Sequence, residues 1–208
     1  MSLNQLHLSR LILNPRSKEA RRDLANPYEL HRTLARAFAP DEETAPARFL
    51  WRLEATANWQ QPQLLVQSQT EGNWGPLRDL PYYLQGEVQE KRFAPEQWLE
   101  QGRSYRFRLQ ANPTVTRDGK RRGLCSEEEQ LAWLARQGER HGFSLVHALV
   151  SSSVMQHGRK GISRLSVLTA TFEGYLQVVE PDVLRAALCA GIGPAKSLGC
   201  GLLSLGKA

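Results

Sequence analysis

Over residues 104–110 the chain alternates: Tyr105, Phe107 and Leu109 fall on one face, Arg106 and Arg108 on the other. That period of two predicts a half-buried strand with a basic outer face. Strands are predicted in the same way over 5–13, closed by Asn14-Pro15, and over 48–55 and 63–68. In the second half, residues 145–155 and 163–172 flank the tip His157-Gly-Arg-Lys-Gly161 as a long hairpin. Gly174 then turns the chain into a strand over 175–179, and a last strand covers 201–205. Helical signals lie between these strands. Asn26 is placed to cap a helix with Pro27 at its first position, and Glu29 can complete a capping box. Leu30, Leu34, Ala37 and Phe38 form the apolar stripe of that helix. Ser126 caps a helix through about Gly138, with Glu127, Glu128 and Glu129 in its first turn, and Pro181 opens another through Cys189. Residues 16–25 read as a basic loop, and the Gly- and Pro-punctuated stretch around 72–83 gives no clear element.

Strand, helix, two strands, helix and strand thus occur twice. This order predicts an α+β fold of tandem ferredoxin-like (βαββαβ) domains, 1–95 and 96–208, with a basic hairpin and a C-terminal glycine-rich loop in the second. The second helix of the first domain is the weakest link, and a single α+β domain with a mixed sheet is the alternative.

The formal net charge of +6 becomes informative once it is divided along the chain. Residues 1–40 carry +4, 103–122 carry +6 and 157–164 carry +3, which leaves −7 on the other 140 residues. Such segregation favours a polyanion-binding face over three unrelated solvated loops. Arginine dominates, and its planar fork grips phosphate oxygens in pairs. The candidate contacts are Arg21, Arg22 and Arg32 in the first segment and Arg106, Arg108, Lys120, Arg121 and Arg122 in the second. His157, Arg159, Lys160 and Arg164 make up the third. Three cysteines at wide spacing suit a reducing compartment, and no apolar run approaches the ~20 residues of a membrane span, so a cytoplasmic location is expected.

Few residues are set up for chemistry. With about 100° per residue, His31 and Tyr28 fall off the core stripe and share an outward face with Arg32. A polyanion held by the basic segments would pass an imidazole able to exchange protons near neutral pH. Of the other histidines, His7 lies in a strand, His141 in a turn, and His147 in an apolar run that argues for a core position. No metal-binding spacing, nucleophile elbow or Walker loop is present, so metal-free chemistry without a cofactor is expected. The run 191–201, GIGPAKSLGCG, includes Gly193, Lys196 and Gly199. Its amides can cradle a phosphate, or its glycines can serve tight turns; the sequence leaves both readings open.

Three stretches carry a resemblance: ARRDLANPYELHRTL near the start, RFRLQANP in the second half, and FEGYLQVVEPD leading into GIGPAKSLGCGLLSL. Together they resemble the CasE family, the CRISPR-associated endoribonucleases of type I-E systems within the RAMP superfamily. The resemblance spans essentially the whole chain and is thinnest over 56–98. It implies two ferredoxin-like folds that bind the hairpin of precursor CRISPR repeat RNA and cut it once at the hairpin's 3′ base. The cut is metal-independent and leaves a 2′,3′-cyclic phosphate and a 5′-hydroxyl. The guide then stays bound as the protein joins other subunits of the Cascade surveillance complex, and neither a membrane nor a small-molecule cofactor is implied.

By the same resemblance the family's catalytic histidine falls on His31, its tyrosine on Tyr28, and a basic residue one turn further on falls on Arg36. Its glycine-rich loop falls on residues 191–201, which makes Gly193, Lys196 and Gly199 expected RNA contacts, and its RNA-reading hairpin falls near Arg159 and Lys160. The expected roles are proton transfer at His31, assistance by Tyr28 at the same phosphate, and charge stabilisation by Arg36 or Arg159. A non-catalytic RNA-binding subunit of the same fold is the competing expectation. A small-molecule enzyme fits poorly with so much segregated positive charge.

Overall fold

A computed structural model of the chain describes residues 5–39, 41, 43–55 and 58–207. The first compact unit gathers the described residues up to Ala94 together with His157–Leu165 and Ser197–Gly199. It opens with β1 (Leu6–Ile12), whose Leu6, Ser9 and Leu11 are buried. Where a basic loop is expected, the chain forms a helix, α1 (Lys18–Ala25). The segment has only Ala20 and Leu24 as apolar anchors, and what holds it is polar. Buried Asp23 accepts from Tyr83 Oη at 2.7 Å and pairs with Arg22 at 2.7 Å.

The helix α2 (Pro27–Ala35) follows at once, with Pro at its first position and Asn26 as its N-cap. The expected capping box does not form. The Asn26 N–H that Glu29 would reach already donates to Asp23 O, because α1 ends there. Glu29 instead pairs with Arg32 at 3.1 Å. The apolar stripe lies where the periodicity puts it, with Leu30, Leu34, Ala37 and Phe38 all buried.

The strands β2 (Phe49–Glu54) and β3 (Gln63–Ser68) come next, then the four-residue α3 (Gly75–Arg78) and β4 (Gln89–Phe93). The sheet order is β2-β3-β1-β4, all antiparallel, with Leu11 opposite Leu64 and Trp51 opposite Val66. Its core joins these residues to Leu30, Leu34, Phe38, Phe49 and Trp74. A helix of only four residues explains why the second helix of this half left no periodic signal.

The second unit gathers Pro95–Gln156, Ser166–Lys196 and the described residues from Cys200 onward. Here β5 (Ser104–Ala111) alternates as its sequence dictates, with Tyr105, Phe107 and Leu109 buried. A short basic ribbon, β6 (Thr114–Arg117) and β7 (Lys120–Gly123), follows. The helix α4 (Glu127–Arg140) is capped by Ser126, whose hydroxyl accepts from Glu129 N at 3.2 Å. The hairpin strands β8 (Phe143–Lys160) and β9 (Ser163–Val178), then α5 (Pro181–Ala190) and β10 (Leu203–Lys207), complete the element order.

The second sheet is ordered β10-β5-β9-β8. Numbered within each half, both sheets place the fourth strand beside the first and the third between first and second, the ferredoxin-like arrangement. The fold is a tandem of two such units, and no helix among the described residues is long and apolar enough to cross a membrane.

Two expectations in the second half need correction. Gly174 does not turn the chain, since β9 runs through it without a break. A Cβ at this position would lie 2.1 Å from His147 O, so the glycine admits the close approach of β8. His147 is exposed, not in a core. An apolar run marks a core only where another layer covers it, and on the edge strand β8 its neighbour Val146 stays 61% exposed.

Candidate nucleic-acid-cleaving site in the first unit

The site grows from the N-terminus of α2. The Asn26 carboxamide accepts from Tyr28 N at 3.3 Å, the capping bond that starts the helix. The same side chain also engages the hairpin tip at two points. Its Oδ1 accepts from Arg159 N at 3.1 Å, and its Nδ2 donates to Arg159 O at 3.0 Å. A Cβ on Gly158 would meet Asn26 Oδ1 at 3.0 Å, so the glycine allows this contact. The clamp carries Lys160 to Tyr28, where its Nζ stands 5.8 Å from the ring centroid. That distance is within the range of a cation–π contact.

One helical turn on, His31 is half-buried, where the periodicity alone gave an outward position. The wall that covers it comes from β2, whose alternation turns Phe49 and Trp51 to one side. The imidazole stacks on Phe49 with centroids 4.8 Å apart, and Phe49 stacks in turn on Phe38 at 4.7 Å. Trp51 Nε1 donates to His31 Nδ1 at 3.3 Å. Burial against these rings lowers the His31 pKa from its ordinary value near 6.5, because a charged ring loses hydration there. The imidazole is therefore neutral near pH 7.

Arg36 is not part of this group. It lines a groove of about 610 Å³ with Arg22, Glu29, Arg32 and Thr33, on another face of α2. On the helical wheel it lies roughly 140° from His31.

The family model described as "CRISPR associated protein" matches residues 6–207. The chain belongs to this CRISPR-associated family. It is 41% identical to the CRISPR-associated endoribonuclease Cse3 of Thermus thermophilus, over 95% of this chain and 98% of that protein. It is 31% identical to the Cascade subunit CasE of Escherichia coli, over 96% and 98% respectively. A solved structure of Thermus thermophilus Cse3 bound to an RNA representing a pre-cleavage complex matches with a TM-score of 0.88 at 41% identity. That match covers 97% of this chain and 99% of the other.

Within this family member the basic residues read from the sequence fall into distinct settings. Arg21 is exposed on α1, while Arg22 is tied to Asp23 and Thr33 and Arg32 to Glu29. In the second unit Lys120, Arg121 and Arg122 are exposed on β7, and Arg106 is exposed on β5. Arg108, by contrast, is half-buried and paired with Glu173 at 3.0 Å. His157, Arg159, Lys160 and Arg164 are exposed on the hairpin tip. In the glycine-rich loop Lys196 donates to Gly193 O at 2.8 Å, and Gly193 adopts φ +78 over the Trp133 ring. Those two residues therefore shape the loop itself.

Sequence reasoning missed Phe49, Trp51 and the second role of Asn26. The one available signal was the Phe-x-Trp alternation on a strand predicted from its apolar pattern.

Proposed function

We propose that this chain is a metal-independent endoribonuclease. It binds the hairpin of CRISPR repeat RNA and cuts precursor RNA by attack of a ribose 2′-hydroxyl, giving a 2′,3′-cyclic phosphate and a 5′-hydroxyl. The observation that carries the reading is the grouping on α2: a neutral, half-buried His31 and, one turn away, Tyr28 with the Lys160 ammonium held beside it. The cleavage needs a hydrogen-bond donor at the departing 5′ oxygen and a positive charge near the phosphorane. Imidazole and ammonium supply these, and the Tyr28 phenol can orient the phosphate between them. Lys160 takes the charge-stabilising role expected from the sequence of Arg36 or Arg159.

The exposed arginines and lysines of α1, β5 and β7 are suited to the RNA backbone, where each phosphate contact adds salt sensitivity. The protein keeps its product in the cytoplasm as a subunit of a Cascade-type complex, and the name of the Escherichia coli relative supports the Cascade part of this reading. Incubation with repeat RNA in excess chelator, with and without a 2′-deoxy sugar at the cut site, tests the proposal. Cleavage of the unmodified RNA alone is expected. Tight binding with both RNAs recovered intact would make the chain a non-catalytic RNA-binding subunit.

A further inference from the structure

Which nitrogen of His31 carries its proton is decided by a residue that has no role so far. Trp51 is 2% exposed, and an indole N–H can only donate. Its acceptor is His31 Nδ1 at 3.3 Å. Turning the imidazole over would set a carbon against the indole N–H and leave a buried donor unpaired, which folded proteins avoid. An accepting Nδ1 places the ring proton on Nε2. Protonating Nδ1 as well would bring two N–H groups face to face and break the bond. Burial against Phe49 pushes the same way, toward the neutral ring.

The indole is itself held from the glycine-rich loop. Gly199 lies in the left-handed region at φ +82, and a Cβ there would stand 2.9 Å and 3.0 Å from Trp51 Cζ3 and Cη2. The sequence left open whether these glycines serve a phosphate or a turn. At Gly199 the missing side chain serves Trp51.

We propose that Trp51, seated by the backbone of Gly199, is a positioning residue that locks His31 in the Nε2–H tautomer. His31 then donates to the departing 5′ oxygen and does not accept the 2′-hydroxyl proton. This rests on the endoribonuclease reading above. In the step, the bond from O2′ to phosphorus forms as the bond from phosphorus to O5′ breaks. The 2′ proton leaves to water, and O5′, held by a hydrogen bond from the Nε2–H, takes a proton from water, so the ring stays neutral throughout. The indole N–H, donating to Nδ1 throughout, draws electron density from the ring and strengthens the hydrogen bond that Nε2–H gives to the departing oxygen.

Side-chain nitrogen NMR of the full-length, ¹⁵N-labelled protein tests the lock directly. The chain has five histidines, and the His31 signals are those absent from His31→Gln. At neutral pH the wild type is expected to show an unprotonated Nδ1 and a protonated Nε2. Trp51→Phe keeps an aromatic ring and removes the donor. It should give a mixed His31 tautomer and single-turnover cleavage about three- to tenfold slower, the worth of one hydrogen bond, with unchanged RNA affinity.

A protonated Nδ1 in the wild type overturns the proposal. So does a Trp51→Phe protein whose nitrogen signals or cleavage rate match the wild type. If Trp51→Phe does not fold, the wild-type spectrum decides alone. His31→Gln cutting at the wild-type rate would instead defeat the catalytic reading of His31 while leaving the tautomer result standing, so the two failures are distinguishable.

Discussion

The two faces of α2 handle charge in opposite ways. On one, Arg22 and Arg32 line an open groove with Arg36, and both are matched by their own carboxylates, Asp23 and Glu29. On the other, His31 rests on Phe49 and Trp51 and is kept uncharged by burial. Permanent charge is cheap to keep where water screens it, whereas a proton-exchanging group gains from a wall of low polarity that sets its tautomer. One short helix thus carries paired, water-screened charge on one face and an uncharged imidazole on another. The Lys160 ammonium reaches the imidazole side from the hairpin tip and not from the helix itself.

The sharpest way to break this contrast is His31→Ala. Single-turnover cleavage should fall by roughly 10²–10⁴ with little change in RNA affinity. Lys160→Ala should cost about 10² in the same assay, as loss of a charge-stabilising donor does. Asn26→Ala removes the cap and both bonds to Arg159, and should lower stability by at least about 1 kcal/mol in a denaturant titration. Arg36→Ala, on the groove face, should change the cleavage rate less than about threefold. It should flatten the salt dependence of binding by about one unit of slope if the groove holds a phosphate. A rate loss near that of Lys160→Ala would restore Arg36 to the catalytic group and erase the distinction between the faces.

The mildest effect is in pH. Because folding lowers the proton affinity of His31, the unfolded chain binds more protons below about pH 6.5. Stability from this group therefore rises with pH through that range and is lost on acidification. A His31→Gln protein should show a flatter acid limb in its melting temperature.

Strands with a buried face were legible because their period is set locally. β3 falls on residues 63–68 as expected, and β5 runs only one residue past its predicted end. The cap at Asn26 and the stripe of α2 were legible for the same reason. α1 was not, because KEARRDLA lacks a full apolar stripe and is fixed by a buried Asp23 whose Tyr83 partner lies 60 residues away. The reading of Gly174 as a turn failed because a glycine serving close strand approach looks the same in sequence as one serving a bend.

At the site, the wheel placed His31 off the hydrophobic stripe but had no means of knowing that β2 would lay two aromatic rings against it. Periodicity within one helix carries no information about which other element covers its flank. The family motif pointed to Tyr28 and His31, while the partners that set the state of the imidazole came only from tertiary packing.

The Asn26 carboxamide joins points 133 residues apart in the chain. A nascent polypeptide that has emerged through α2 and β2 already holds the imidazole and its indole partner, yet it lacks Gly158, Arg159, Lys160 and the backbone of Gly199. The clamp on Lys160 and the seat of Trp51 therefore form late in synthesis, after the hairpin and the glycine-rich loop have left the ribosome.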